Sequence, residues 1–464
     1  MPQMQESRTY AIQIASFAVK LTAEVAFEKD VQLRQVITLR LIDTIACMRG
    51  AFAAETVVRA QRMASRYHAV SASTPGASLA AQPVRIAIDA AAFANGIAAR
   101  YLDFNDIYLS KEAVHPSDNI PACIAMAEAL GASGEELLIA LIVGYEVHCR
   151  LADTLSTRQG KWDNVILGAI AASVMAGTLL KLDVQQLAQA ICMAATGNIA
   201  LMQTRTGTLS EWKSAAAAYA ARAGVFSALA AFQGISAPAL AFEGAYGLFS
   251  KVTGQPDKNV FMTPVKCFRL TDTHLKAYPS QYFTQTAISA ALSIRNQINT
   301  AEAEKIMIHT FEFGLLAAAD TKEKWRPTTR ETADHSMPYC VAVALLDGEL
   351  TTAKFEDACL RRDDVRALME KIEVAEDIAL TAQYPAKVPT RIQVVLRGGQ
   401  STQTLMDYPL GHSQNPMSAA QVAVKFTDLC GDTAPTRTLF DDLLEIGHMN
   451  DSDTSALLCR ALQA

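Results

Sequence analysis

From about residue 10 to residue 271, apolar positions recur every three to four residues, the spacing that puts side chains on one face of a helix. "VQLRQVITLRLIDTIACMRGAF" holds that period over several turns. So does "GEELLIALIVGYEVHCRLADTL", which opens on Ser133-Gly134-Glu135-Glu136, a start suited to the positive end of a helix dipole. "KSAAAAYAARAGVFSALAAFQG" predicts a strong helix that stops at Gly234, with Pro238 just beyond. After about residue 272 the period shortens. "AEKIMIHTF" and "TRIQVVLRGGQSTQTLMDYP" alternate apolar and polar positions, and the second predicts two strands around an "RGGQS" turn. Helical patterns lie between them, in "YFTQTAISAALSIRNQI" and "FEDACLRRDDVRALMEKI". The tail, from "NPMSAAQVAVKFTDLC" onward, is helical again and is expected to rejoin the first unit. The predicted fold is mainly α with an inserted α+β domain. A large helical domain comes from residues 1–271 and 407–464, and a smaller α+β domain from residues 272–406.

Composition narrows the picture. A chain of 464 residues, half of them hydrophobic, has the length for two or three domains and ample apolar surface to bury. Aromatics make up only 7% and alanine is abundant, which favours closely packed helices. The net charge of -6, with no basic block, argues against nucleic acid or an anionic membrane as partner. Apolar runs such as "LLIALIVGY" reach about half a bilayer span. The opening "MPQMQESRTYAIQIASFAVK" is too polar for a secretory signal, so a cytoplasmic protein is expected. Nine scattered cysteines with no C-x-x-C pair signal neither zinc nor an iron–sulfur cluster, and are read as buried structural thiols.

The candidate chemistry begins with "DFNDIYLSKEAVHPSDN", a polar run directly behind an Ala-rich helix. His115-Pro116 cannot lie inside a regular helix, so His115 sits in extended backbone before one begins. There it can face an anion at the helix start, while Ser117, Asp118 or Asn119 could cap that helix. Lys213 heads an apolar helix where a cation is unfavourable, and Lys276 lies in a Pro-interrupted segment at the domain boundary. "WRPTTRETADHSMPYC" gathers Arg326, Arg330, Asp334, His335, Ser336 and Tyr339 ahead of an apolar helix. Cations and proton donors beside apolar helices, without a metal motif, point to a polycarboxylate site.

The segments "YLDFNDIYLSKEAVHPSDNIPACIAMAEALG", "GYEVHCRL", "EWKSAAAAYAARAG", "FEGAYGLF", "LKAYPSQ" and "TADHSMPYCVAVALLDG" together resemble the MmgE/PrpD family, in family order from about residue 10 to 460. The resemblance implies a helical domain with an α+β lid, a homodimer, and catalysis without metal or organic cofactor. It carries active-site roles onto Asp103, His115, Lys213, Lys276 and Tyr339. Two departures stand out. Ile107 replaces a threonine common in the family, and a second active-site histidine of its decarboxylases would fall near Trp162-Asp163, where none exists. "HPSDN" and "WDNVIL" are most similar to the 2-methylcitrate dehydratase branch, which implies a cofactor-independent hydro-lyase acting on a citrate-like tricarboxylate.

Dehydration needs a base for the carbon acid, cations for the carboxylates and an acid for the departing hydroxide. The expected assignment gives Lys213, Lys276 and Arg326 the carboxylates and His115 and Tyr339 the proton transfers, with Asp103 orienting His115. His335 and Asp163 are further substrate contacts, Asp163 in place of the missing histidine. Alternatives with the same residues are cis-aconitate decarboxylation, iminodisuccinate epimerisation, or a non-catalytic helical dimer that binds a tricarboxylate.

Overall fold

The computed structural model describes residues 9–25, 30–71, 73–257, 259–263 and 265–463; the polar stretch Met1–Arg8 that bears on the secretory reading lies outside them. The three-to-four periodicity becomes α1 (Tyr10–Glu24), α2 (Val31–Gly50), α3 (Glu55–His68), α4 (Ile88–Tyr101), α5 (Ile120–Leu130), α6 (Gly134–Thr154), α7 (Val165–Leu179), α8 (Val184–Gly197) and α9 (Trp212–Phe232). Local chemistry sets their ends. Ser133 and Glu136 form a reciprocal capping box at the start of α6. Beyond α9, Gly234 adopts φ +84°, a left-handed conformation that ends the helix where expected.

Helix α9 is long and apolar enough to cross a membrane by length and composition, but much of it is buried against α4, α7 and α8. Small residues make that packing close. A Cβ on Gly224 would lie 2.5 Å from the Ala169 carbonyl oxygen and 2.6 Å from the Ala172 Cβ. Gly224→Ala should therefore destabilise the protein by about 1–3 kcal/mol, because backbone cannot yield as a side-chain tip can. That outweighs the roughly 1 kcal/mol of helix propensity alanine would add. A urea midpoint unchanged or raised in this variant would contradict the close-packing account.

Past residue 272 come α10 (Gln285–Ile294) and α11 (Met337–Asp347), and a four-stranded sheet of β5 (Ala303–Thr310), β6 (Ile372–Glu376), β7 (Thr390–Leu396) and β8 (Ser401–Met406). The strand order is β6-β5-β7-β8, with β5 and β6 parallel and the other pairs antiparallel. The predicted hairpin is β7–β8. Gly398 and Gly399, with φ +102° and +81°, make its turn. Two ribbons that no sequence pattern announced, β1 (Ala77–Ser78) with β2 (Arg85–Ile86) and β3 (Tyr108–Leu109) with β4 (Ala113–Val114), have only two residues per strand.

Two main hydrophobic cores result. The first draws on α1 to α9 and on residues far along the chain: Val422 and Phe426 of α12 (Ala419–Cys430), Leu443 of α13 (Ala434–Leu444) and Leu458 of α14 (Asp451–Leu462). The second joins α10 and α11 to Ile306, Ile308, Ile392 and Val394 of the sheet. All nine cysteines are free. Cys47, Cys123, Cys149, Cys192 and Cys340 are buried as expected, but Cys267 is exposed and Cys359, Cys430 and Cys459 are partly so, which corrects the uniform reading.

Candidate active site

A cavity of about 330 Å³ lies between the two cores. Arg100, Asp103, His115, Asp163 and Arg205 reach it from the helical unit; Lys276 stands at the junction; Phe283, Phe313, Lys324 and His335 close the far side.

Asp103 is the hub. It follows the last turn of α4 and adopts φ +49°, a left-handed conformation that costs free energy for a residue with a Cβ. That turn aims its carboxylate inward at three buried cations. Arg100 forms a tight ion pair with Oδ1, Lys276 Nζ lies 3.2 Å from the same oxygen, and Lys213 Nζ lies 3.7 Å from Oδ2. Burial alone would push the Asp103 carboxyl up, but Arg100, Lys213 and Lys276 overcome it and hold the group well below the usual carboxylate range. Burial also pushes Lys276 down, to about 8, against the pull of Asp103.

The polar run that follows is folded on itself. His115 Nδ1 donates to the Asp106 carbonyl at 2.6 Å, and Arg100 Nη2 lies 3.0 Å from His115 Nε2. Burial, reinforced by Arg100 and Lys276, lowers the His115 pKa well below its ordinary value, so the ring is neutral. Ser117, Asp118 and Asn119 were expected as helix caps, but none caps α5. Ser117 Oγ donates to Asp106 Oδ1 at 2.5 Å, and Asp118 accepts from Asn105 at 2.7 Å and pairs with Arg100 at 3.5 Å. Ser117 and Asp118 are thus recruited to hold Asn105, Asp106 and Arg100, while the buried Asn119 side chain finds no hydrogen-bond partner among the described residues.

The second imidazole is built differently. Asp334 and His335 precede α11, whose cap is Ser336. His335 Nδ1 lies 2.5 Å from Asp334 Oδ1, and Asp334 in turn holds Lys213 at 3.3 Å. Burial and the Lys213 charge bring the His335 pKa down to about 4, against the opposing pull of Asp334.

The structure thus brings Asp103, His115, Lys276, His335 and Asp163 onto one cavity. It parts the others. Lys213 is fully buried behind Asp103 and Asp334 and does not line the cavity, so its apolar-helix position is explained by internal pairing. Tyr339 points into the second core, packs on Phe355 and donates to the Lys354 carbonyl. It lines a separate cleft of about 280 Å³, together with exposed Arg326. Both corrections have a geometric cause. Tyr339 belongs to the first turn of α11, while His335 precedes the cap and follows another direction. In the short turn Lys322–Trp325, Lys324 takes the buried side and bonds Asp320 at 2.6 Å, leaving Arg326 outside.

Three site residues were not anticipated. Arg100 reads in sequence as an ordinary last-turn cation of α4, yet it links Asp103, Asn105, Asp118 and His115. Arg205 pairs with Asp163 at 3.0 Å on the cavity wall, and Arg158 pairs with Glu112 at 3.5 Å. No local pattern in the sequence marks these arginines; the burial of Asp103 and Asp163, which requires a nearby cation for each, is visible only in the fold.

Asp103, Asp334 and His335 offer donor atoms within 4.8 Å of one another, a spacing that could hold a metal ion. The Lys213 ammonium already stands between the two carboxylates, and Lys276 and Arg100 crowd the other Asp103 oxygen, so a divalent cation would meet three positive charges. The donor set fits lysine better than metal.

Comparison with known proteins gives the family. The MmgE/PrpD N-terminal domain matches residues 12–260 and the MmgE/PrpD C-terminal domain residues 278–441. The chain belongs to the MmgE/PrpD family. It is 30% identical over 365 residues to 2-methylcitrate dehydratase of Escherichia coli (strain K12), covering 73% of each chain. It is 30% identical over 370 residues to 2-methylcitrate dehydratase of Salmonella typhimurium, covering 74% of each. Cis-aconitate decarboxylase of Mus musculus is 26% identical over 395 residues, 80% of this chain and 78% of its own.

Proposed function

We propose that the chain is a hydro-lyase acting on a citrate-like tricarboxylate, with 2-methylcitrate dehydrated to 2-methyl-cis-aconitate as the first reaction to test. The observation that carries this reading is the pairing, on one cavity, of the cations Arg100, Lys276 and Arg205 with two imidazoles held neutral, His115 and His335. The cations suit carboxylates, and a neutral imidazole can accept a proton. In the dehydration a base removes a carbon-bound proton, its electron pair becomes the new double bond, and the carbon–oxygen bond breaks as an acid protonates the departing hydroxide, which leaves as water. The names of the relatives support the same class. Asp163, held by Arg205 where the decarboxylases would have a histidine, favours dehydration over decarboxylation.

Incubation with 2-methylcitrate, citrate, cis-aconitate and iminodisuccinate tests this. Ultraviolet absorbance from a conjugated acid with the first, and no released carbon dioxide with the third, is the expected result. Silence with all four but thermal stabilisation by a tricarboxylate would replace the enzyme with a binding protein.

We also infer that the chain pairs as a homodimer in a reducing, cytoplasmic setting. Trp212, Tyr219 and Phe226 of α9 are exposed about two helical turns apart, with Ile235, Leu240 and Tyr246 exposed beyond them. None of the nine cysteines forms a disulfide. Phe226→Glu should shift the light-scattering mass from dimer to monomer, and an unchanged dimer would move the interface elsewhere.

A further inference from the structure

The two imidazoles on the cavity are not equivalent. A backbone carbonyl can only accept, so the 2.6 Å bond from His115 Nδ1 to Asp106 puts the ring hydrogen on Nδ1 and the lone pair on Nε2. Arg100 Nη2 donates to that lone pair at 3.0 Å. Arg100 is itself held by Asp103, by Asn105 Oδ1 at 3.1 Å and by Asp118 at 3.5 Å. For His115 to accept a substrate proton, a guanidinium with four partners would have to withdraw. His335 has the opposite arrangement. Its Nδ1 donates to Asp334, leaving the lone pair on Nε2, and Nε2 makes no hydrogen bond among the described residues of a ring that lines the cavity. Asp334 is fixed in turn by Lys213. An imidazole oriented by a buried carboxylate, with its far nitrogen open to the site, is the arrangement a general base requires.

We propose that His335, oriented by Asp334, is the residue that takes the substrate proton, and that His115 is a positioning residue that holds Arg100 for a carboxylate. The proposal rests on the hydro-lyase reading. The proton passes to His335 Nε2, the carbon–hydrogen electron pair becomes the double bond, and the carbon–oxygen bond breaks. The hydroxide leaves as water with a proton from the Lys276 ammonium, after which His335 and Lys276 re-equilibrate with solvent. Lys213, Asp334 and Asp103 are the charged groups that face His335; burial and Lys213 favour the neutral ring, while Asp334 and Asp103 favour the protonated one.

The test uses the full-length chain with 2-methylcitrate. His335→Asn should lower kcat at least about 100-fold with KM changed little, the loss typical of a missing general base. His115→Asn should act chiefly on KM, by about 10-fold or more, because Arg100 loses one of its anchors. The reverse split, with kcat lost in H115N and retained in H335N, would overturn the assignment. Nitrogen-15 NMR of the wild-type imidazoles gives a readout without turnover. The His335 Nε2 resonance should be that of an open lone pair, shift when the unreactive tricarboxylate tricarballylate binds, and titrate near pH 4. That of His115 Nε2 should stay nearly fixed. A His335 Nε2 that does not respond to tricarballylate, with a His115 that does, would sink the inference. A chain silent with every substrate but showing the expected NMR response would instead fault the hydro-lyase reading alone.

Discussion

Asp103→Asn should cost about 3–5 kcal/mol of folding stability and leave turnover near background, the largest loss expected from any single substitution here. Asparagine tolerates the left-handed backbone at this position, so the change isolates charge from conformation. Arg100, Lys213 and Lys276 are all buried, and Asp103 is the carboxylate they share. Lys213 would keep Asp334, but Lys276 would retain only the Asp103 backbone carbonyl, 2.7 Å from its Nζ. Among the described residues, Lys276 would then be a buried ammonium without a counter-ion, beside Arg100 ion-paired only with Asp118 and Lys213 ion-paired only with Asp334. The pH dependence follows from the same cluster. The Asp103 pKa is lower in the folded than in the unfolded chain, so its contribution is present above the unfolded value near 3.8 and lost as pH falls toward the folded one. D103N should therefore both lower the urea midpoint at neutral pH and flatten its acid dependence. A variant with the parent's midpoint would show that the cluster is not held by this charge.

Removing the Lys276 charge is the second large effect. Lys276→Met should lower kcat by about 100-fold or more, because the departing hydroxide loses its proton donor, and raise KM for a tricarboxylate by about 30-fold, because a buried cation is lost. In the unaltered protein the same loss should come from base alone. The Lys276 pKa is lowered to about 8, so kcat/KM should decline as pH rises through that value. Stability should move the other way. Between about 8 and the unbound value of 10.5 the unfolded chain binds more protons at this lysine than the folded chain does, so its contribution to stability grows with pH across that window. Activity falling while stability is held or gained, with the activity limb absent in K276M, is the signature sought. An activity limb that persists in K276M would assign it to another group.

Much of this was legible in the chain because helices and hairpins advertise themselves by period. The α6 capping box, the Gly234 stop and the β7–β8 turn needed no tertiary information. His115, Lys276 and His335 stood out by their local setting, Asp103 and Asp163 came from the family resemblance, and all five line one cavity. What was not legible depends on which way a turn faces. Lys324 and Arg326 are two residues apart, and only the packing of their short helix decides that Lys324 is inside. Tyr339 resembled a proton donor until the Ser336 cap directed it toward Phe355. Arg100 looked like a helix-end cation because its four partners come from a run that folds back over it.

The return of α12 to the first core has a consequence for how the protein is made. Lys425 of that helix pairs with buried Asp43 at 2.7 Å and also donates to the carbonyls of Phe104 and Lys276, at 2.8 and 3.2 Å. During synthesis, α1 to α9 leave the ribosome long before residue 425 exists. Until then Asp43 lacks this counter-ion, α2 lacks its α12 cover, and the backbone at Phe104 and Lys276, beside the cavity, is not yet tied together. The nascent chain must wait, collapsed but unsealed, with an apolar seam open to chaperones or to aggregation. Competence should therefore arrive late and all at once, when the final helices close over α2.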